Sequence, residues 1–228
     1  MRYLKLFESF DDISSVKTKE ICKKYNITNY TINEDGTIDV DDSVNLSYKG
    51  LTELPLRFRN VSGSFWCDSN NLVSLEGGPK SVGGSFLCYN NKLTSLEGSP
   101  QSVGVHFDCY HNLLKNLKGC PQTVGSNFIC RDNKLFSLDG IDRISVGGDF
   151  YFHNNPCYKI YKEWINTDRR EELLDLMDDY DFLRGDTINW YLLEAFFEDA
   201  GLEIPDSSLF SKNNILKKEL QKYYTIED

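Results

Sequence analysis

A unit of 21 residues recurs along the middle of this chain. Three consecutive copies read VSGSFWCDSNNLVSLEGGPKS (Val61–Ser81), VGGSFLCYNNKLTSLEGSPQS (Val82–Ser102) and VGVHFDCYHNLLKNLKGCPQT (Val103–Thr123). A fourth, VGSNFICRDNKLFSLDGIDRIS (Val124–Ser145), carries one extra residue. A strict period of this length specifies a solenoid, because no single unit can bury its apolar side without stacking on its neighbours. Stacking turns every conserved place in the unit into a column, and each column has one physical task.

Val61, Val82, Val103, Val124 and Val146 open the units, and Phe65, Phe86, Phe107, Phe128 and Phe150 follow four residues later. Cys67, Cys88, Cys109 and Cys130 come two places on, with Phe152 in the last coil. The two-residue spacing puts Phe and Cys on one side of a short strand. An asparagine column follows (Asn70, Asn91, Asn112, Asn133, Asn155), suited to a turn whose backbone groups the amide can bond in the next coil. Paired leucines come next, from Leu72 and Leu75 to Leu135 and Leu138. Gly77, Gly98, Gly119 and Gly140, with Pro79, Pro100 and Pro121, break the return path. The expected coil is therefore one short parallel strand, a turn and an extended return. A degenerate first coil fits the register through Val40, Val44, Leu46, Leu51 and Leu54.

Phe, Cys, Asn and two Leu resemble the last five places of the leucine-rich repeat, L-x-x-L-x-L-x-x-N-x-L-x-x-L. The opening Val sits one residue early. The wording V-G-G-S-F-x-C-x-N-N-K-L-T-S-L-E-G-S-P is similar to a family of leucine-rich repeat proteins found mostly in tailed bacteriophages. That likeness extends to INEDGTIDVDDSVNLSYKGLTELP before the repeats and HNNPCYKIYKEW after them, covering roughly Ile21 to Trp164. It implies an α/β solenoid with a parallel β-ladder and a viral origin, and it supplies no mechanism.

The segments outside the ladder read as caps. Residues 1–14 form a leader. Residues 15–40 make an N-terminal cap: a helix over Ser15–Tyr25, then strands Tyr30–Asn33 and Gly36–Val40 around an Asp35-Gly36 turn. The solenoid covers 41–157. Residues 158–228 form a C-terminal helical cap or domain, with Leu173, Leu176, Met177 and Tyr180 on one helix face. Ile188, Leu192, Ala195 and Phe196 suggest the next helix, with Trp190, Leu193 and Phe197 on a second face, and Ile215, Leu216, Leu220 and Tyr223 a last one. In the leader, Leu6-Phe7-Glu8 before Ser9 resembles the L-x-E site cut by prohead proteases of T-even-type phages.

Charge narrows the partner class. Ten basic residues against nine acidic ones lie between Ser43 and Asp149, whereas nine basic face seventeen acidic from Phe150 onward. Neither part carries the basic stripe that a phosphate backbone requires, so no nucleic acid is expected. No run approaches the ~20 apolar residues of a membrane span. Seven cysteines without a scaffold spacing suit a reducing compartment, so a cytoplasmic location is expected, in the host cytoplasm or the virion if a phage encodes the chain.

The chemistry-bearing residues point to binding. The cysteine column cannot converge on one metal, since neighbouring coils stand ~4.8 Å apart. There is no H-E-x-x-H, no G-x-S-x-G and no Gly-rich phosphate loop. The segment after Trp164 has no cysteine, which excludes the reactive-cysteine ligase domain that some repeat-bearing bacterial effectors carry. No catalytic residue, metal or cofactor is expected. By register, His106, His111 and His153 face outward from the strands, and His111, Asp132 and His153 fall on successive coils near the strand ends. The same face should carry Trp66, Leu87, Tyr89, Tyr110, Ile129, Arg131 and Tyr151, together with Asp68 and Asp108. Aromatic, Arg and exposed aliphatic side chains of this kind make protein interface cores. The expected role is a non-enzymatic module that binds a protein partner through this strand face. The alternative is a virion-associated or self-assembling structural protein targeted by its leader.

Overall fold

The computed structural model describes residues 10–141, 144–162, 164–184, 186–202 and 215–227. The leader motif Leu6-Phe7-Glu8 lies outside the described residues. The N-terminal cap begins with helix α1 (Phe10–Lys24), which starts five residues before the expected Ser15, within the segment read as leader, and is followed by strands β1 (Tyr30–Ile32) and β2 (Ile38–Val40), which pair antiparallel. The expected Asp35-Gly36 turn joins them, with Gly36 at φ 75° and the Asp35 carboxylate accepting from the Thr37 N–H at 3.0 Å.

The chain then alternates between two ladders rather than one. Its strands are β3 (Val44–Asn45), β4 (Phe58–Val61), β5 (Phe65–Trp66), β6 (Ser81–Val82), β7 (Phe86–Leu87), β8 (Ser102–Val103), β9 (Phe107–Asp108), β10 (Thr123–Val124), β11 (Phe128–Ile129), β12 (Ser145–Val146) and β13 (Phe150–Tyr151). One sheet runs β1-β2-β4-β6-β8-β10-β12, and the other runs β3-β5-β7-β9-β11-β13. Every pair after β1-β2 in these two sheets is parallel; β2 and β4 carry a register shift between Ile38 and Asp39, and from β4 and β3 onward the coils are in register, so Val61 meets Val82 and Phe65 meets Phe86. The expected single strand per coil is thus corrected: the opening Val lies in a strand of its own. The column Gly83, Gly104, Gly125 and Gly147 turns the chain between the sheets. A Cβ built on Gly104 would lie 2.0 Å from the Gly83 carbonyl oxygen, so the coils approach too closely there for any side chain.

The interior follows the columns read from sequence. Phe65, Phe86, Phe107 and Phe128 and all four column cysteines are fully buried. Phe65 and Phe86 stack with centroids 5.5 Å apart, and Phe86 and Phe107 with centroids 5.6 Å apart, the planes of each pair nearly parallel. Burial pushes the Cys88, Cys109 and Cys130 thiols well above their ordinary range, so they stay protonated and unreactive.

The asparagine column stitches the coils, reaching back to the preceding coil rather than on to the next. Asn112 Nδ2 donates to the carbonyls of Cys88 and Cys109, both at 3.1 Å, while its Oδ1 accepts from Leu93 N–H at 3.0 Å. Asn91 and Asn133 repeat this pattern one coil away. The residue before each of these amides is left-handed, with φ near 55° at Ser69, Asn90, His111 and Asp132. That conformation costs an ordinary residue about 1 kcal/mol, and Asn, Asp and His tolerate it best.

The C-terminal part adds helices α2 (Tyr158–Tyr161) and α3 (Arg170–Tyr180), strands β14 (Leu183–Arg184) and β15 (Thr187–Asn189), helices α4 (Trp190–Asp199) and α5 (Ile215–Leu220), and strand β16 (Thr225–Glu227). A small sheet β14-β15-β16 therefore joins the expected helices. Ile188 sits in β15, not in a helix, and α4 buries Trp190, Leu193, Phe196 and Phe197 rather than the Leu192 and Ala195 face. This part caps the solenoid. Asn166 accepts from Phe150 N–H at 2.9 Å and donates to Phe150 carbonyl at 3.1 Å, imitating the strand of a further coil. Arg170 Nη2 donates to the Ile144 carbonyl at 3.1 Å, and Tyr224 packs edge-on against Phe136. Among the described residues no helix is long and apolar enough to cross a membrane.

Candidate functional site

The six-stranded sheet β3-β5-β7-β9-β11-β13 turns alternate side chains inward and outward, and its outward face carries the residues singled out from sequence. Three columns run across it. The first, before each Phe, is a backbone ladder. Ser64 Oγ accepts from Ser85 N–H at 3.0 Å, Ser85 Oγ from His106 N–H at 3.3 Å, and His106 Nδ1 from Asn127 N–H at 3.3 Å. Asn127 Oδ1 then accepts from Asp149 N–H at 3.0 Å. His106 is therefore a structural acceptor, its Nδ1 taking the place that the Ser and Asn oxygens hold in the other coils.

The second column, between Phe and Cys, is Trp66, Leu87, Asp108, Ile129 and Tyr151, joined by the strand registers Trp66 to Leu87, Leu87 to Asp108, Asp108 to Ile129 and Ile129 to Tyr151. Trp66, Leu87 and Ile129 are half-buried and Tyr151 is exposed, so a row of apolar surface remains open to solvent. Asp108 interrupts it. Burial between its apolar neighbours pushes the Asp108 carboxyl up to about 6, against the Tyr110 N–H that donates to it at 3.2 Å and the favourable charge of Arg131.

The third column, after Cys, is Ser47, Asp68, Tyr89, Tyr110, Arg131 and His153. Asp68 is buried and accepts from the Ser47 hydroxyl. Burial, with the Asp68 charge and hydrogen bond behind it, pushes the Tyr89 phenol up to about 12. The Tyr89 and Tyr110 rings stack at 4.6 Å with 12° between their planes. The Arg131 guanidinium lies 4.1 Å above the Tyr110 ring and pairs with Asp132. Asp68, two tyrosines and an arginine thus form one continuous stack over four coils, in which each group holds the next in place.

The histidines part company. His111 is exposed in the left-handed turn column, together with Asp132 and Asn154, whereas His153 is half-buried in the Arg131 column. Asp132 is claimed by Asn154 and Arg131, and these bonds hold its carboxyl below its usual range. The described residues contain no group of three or more His, Cys, Asp or Glu able to hold a metal ion.

The isolation of Asp108 was not evident from sequence. The available signal was a single carboxylate in a column otherwise made of Trp, Leu, Ile and Tyr. On the opposite sheet an open groove of about 720 Å³ follows Ser81, Ser102, Thr123 and the glycine column. It follows the glycines where the coils approach most closely, with the hydroxyls of Ser81, Ser102 and Thr123 and the opening valines along it and Asp39, Asp41 and Asn60 at its N-terminal end.

Scanned against protein-family models, curated proteins and solved structures, the chain matches none.

Proposed function

We propose that this chain is a non-enzymatic binding module of the leucine-rich repeat type, that a tailed phage encodes it as an accessory protein, and that it captures a protein partner on the outward face of the six-stranded sheet. The observation that carries this reading is the pairing of two columns. Half-exposed Trp66, Leu87 and Ile129 lie beside a tyrosine-arginine stack already locked in place. Large rings and a guanidinium that are ordered before binding lose little freedom on contact, which is what gives anchor residues their weight. The phage origin rests on the repeat wording alone.

The test compares the full chain with a Tyr89→Ala, Tyr110→Ala double variant as baits in bacterial lysate. The two rings are half-buried, so the variant should fold and lose only about 1–2 kcal/mol of stability. A protein retained by the parent and lost from the folded variant is the expected result. Equal retention by both would remove the face from consideration.

A further inference from the structure

We propose that the partner presents a basic side chain to this face, and that Asp108 is its counter-ion. The inference deepens the reading of the strand face given above and rests on it. The outward columns and the turn column beside them carry the carboxylates Asp68, Asp108, Asp132 and Asp149, and one permanent cation, Arg131. Three of the four carboxylates are engaged within the chain. Asp68 takes the Ser47 hydroxyl, Asp132 takes Arg131 and Asn154, and Asp149 accepts from the Tyr151 hydroxyl at 2.9 Å. Asp108 differs. Among the described residues its recorded hydrogen bond is the one backbone N–H of Tyr110, and no side chain donates to it.

The nearby cation does not fill this gap. Arg131 is held over the Tyr110 ring and against Asp132, and it acts on Asp108 only through space, opposed by Asp68. Asp108 therefore sits between Leu87 and Ile129 as a partly dehydrated charge with no ion pair in contact among the described residues, Arg131 reaching it only through space. Such a group disfavours the free protein and gains most when an opposite charge arrives. A lysine or arginine side chain fits both halves of the surface. Its aliphatic stem can lie along Leu87 and Ile129 while its head reaches the carboxylate. An acidic partner or a phosphate backbone would meet a face whose net charge is negative.

The probe is a displayed library of random short peptides, selected at about pH 7.5 on the full chain and, in parallel, on its Asp108→Asn variant. The asparagine keeps the shape and the acceptor for Tyr110 N–H, so both chains should unfold cooperatively. Peptides selected by the parent should be enriched in Lys or Arg beside an apolar residue, and replacing that residue by norleucine should weaken binding about tenfold. The same peptides should bind the parent roughly fourfold less tightly at about pH 5.5, where most of Asp108 is protonated, and lose this dependence on Asp108→Asn. An unbiased parent pool, a basic preference that survives Asp108→Asn, or a failure to select any peptide overturns the proposal. Apolar peptides that are lost on the Tyr89→Ala, Tyr110→Ala chain but ignore Asp108 would overturn this inference alone and leave the face standing. Peptides indifferent to both variants would remove both.

Discussion

Asp108 shows how one side chain in a periodic column acquires a distinct chemistry. Its neighbours above and below are Leu87 and Ile129, and burial between them raises its carboxyl to about 6 from an ordinary 3.8. A carboxyl whose folded pKa lies above its unfolded one costs stability once the unfolded chain can ionise it, so the penalty builds between the two pKa values. The penalty is absent below about pH 4, grows as pH rises from about 4 to about 6, and is complete above that. Asp108→Asn should therefore raise the urea midpoint at about pH 7.5, by up to about 3 kcal/mol in stability, and leave it unchanged near pH 3.5. A midpoint that falls at neutral pH would mean that the carboxylate is paired. Asn112 is the opposite case at the same scale: a polar group buried deliberately, with backbone partners on two coils for its amide. Its loss would leave the Leu93 N–H and two carbonyls without the partner that replaces water.

Among the elements, the seven-stranded sheet sets the limit on how closely coils stack. Its glycine column is not required by dihedral angle, since Gly104 is not among the positive-φ glycines, but by distance. Gly104→Ala forces a methyl group against the Gly83 carbonyl, and backbone on both sides must give way. Gly36→Ala meets nothing within 4 Å and pays only for its φ of 75°. Thermal unfolding of the two variants should separate these causes: about 1 kcal/mol for Gly36→Ala, and more than about 3 kcal/mol for Gly104→Ala. Comparable losses would mean that the coils can spread apart at that column. The C-terminal cap solves the other problem of a solenoid, its open end, by using the Asn166 amide in place of a strand.

At the scale of the whole molecule, each coil contacts its neighbours through identical registers, so stability accumulates from unit to unit. Excising Val103–Thr123 removes one complete unit and brings Phe86 onto Phe128 and Gly83 onto Gly125. The shortened chain should fold cooperatively with a lower midpoint, and scattering should give a particle shorter by about one ~4.8 Å coil spacing. An unfolded product would show that the caps depend on this coil directly. The excision also deletes Asp108 and Tyr110 while keeping Trp66, Leu87 and Ile129, so it separates the architecture from the proposed recognition surface.

The 21-residue period, read alone, determined the solenoid, the parallel stacking, the buried Phe and Cys columns and asparagine as the link between coils, though not the direction in which it reaches, because in-register stacking repeats each of these contacts at every coil and so writes it into the sequence several times. The second ladder was hidden because a strand of two residues, Ser81–Val82, has no alternation to display. The small sheet β14-β15-β16 was hidden because it pairs residues as distant as Thr187 and Thr225. Only the tertiary structure decided which outward side chains were already committed. His106 proved to be a backbone acceptor, Arg131 a stacking group, and Asp108 the carboxylate left without a side-chain donor among the described residues. Those assignments depend on which group lies one coil away in space, and a column of aligned letters records neighbours without recording which of them a side chain has chosen.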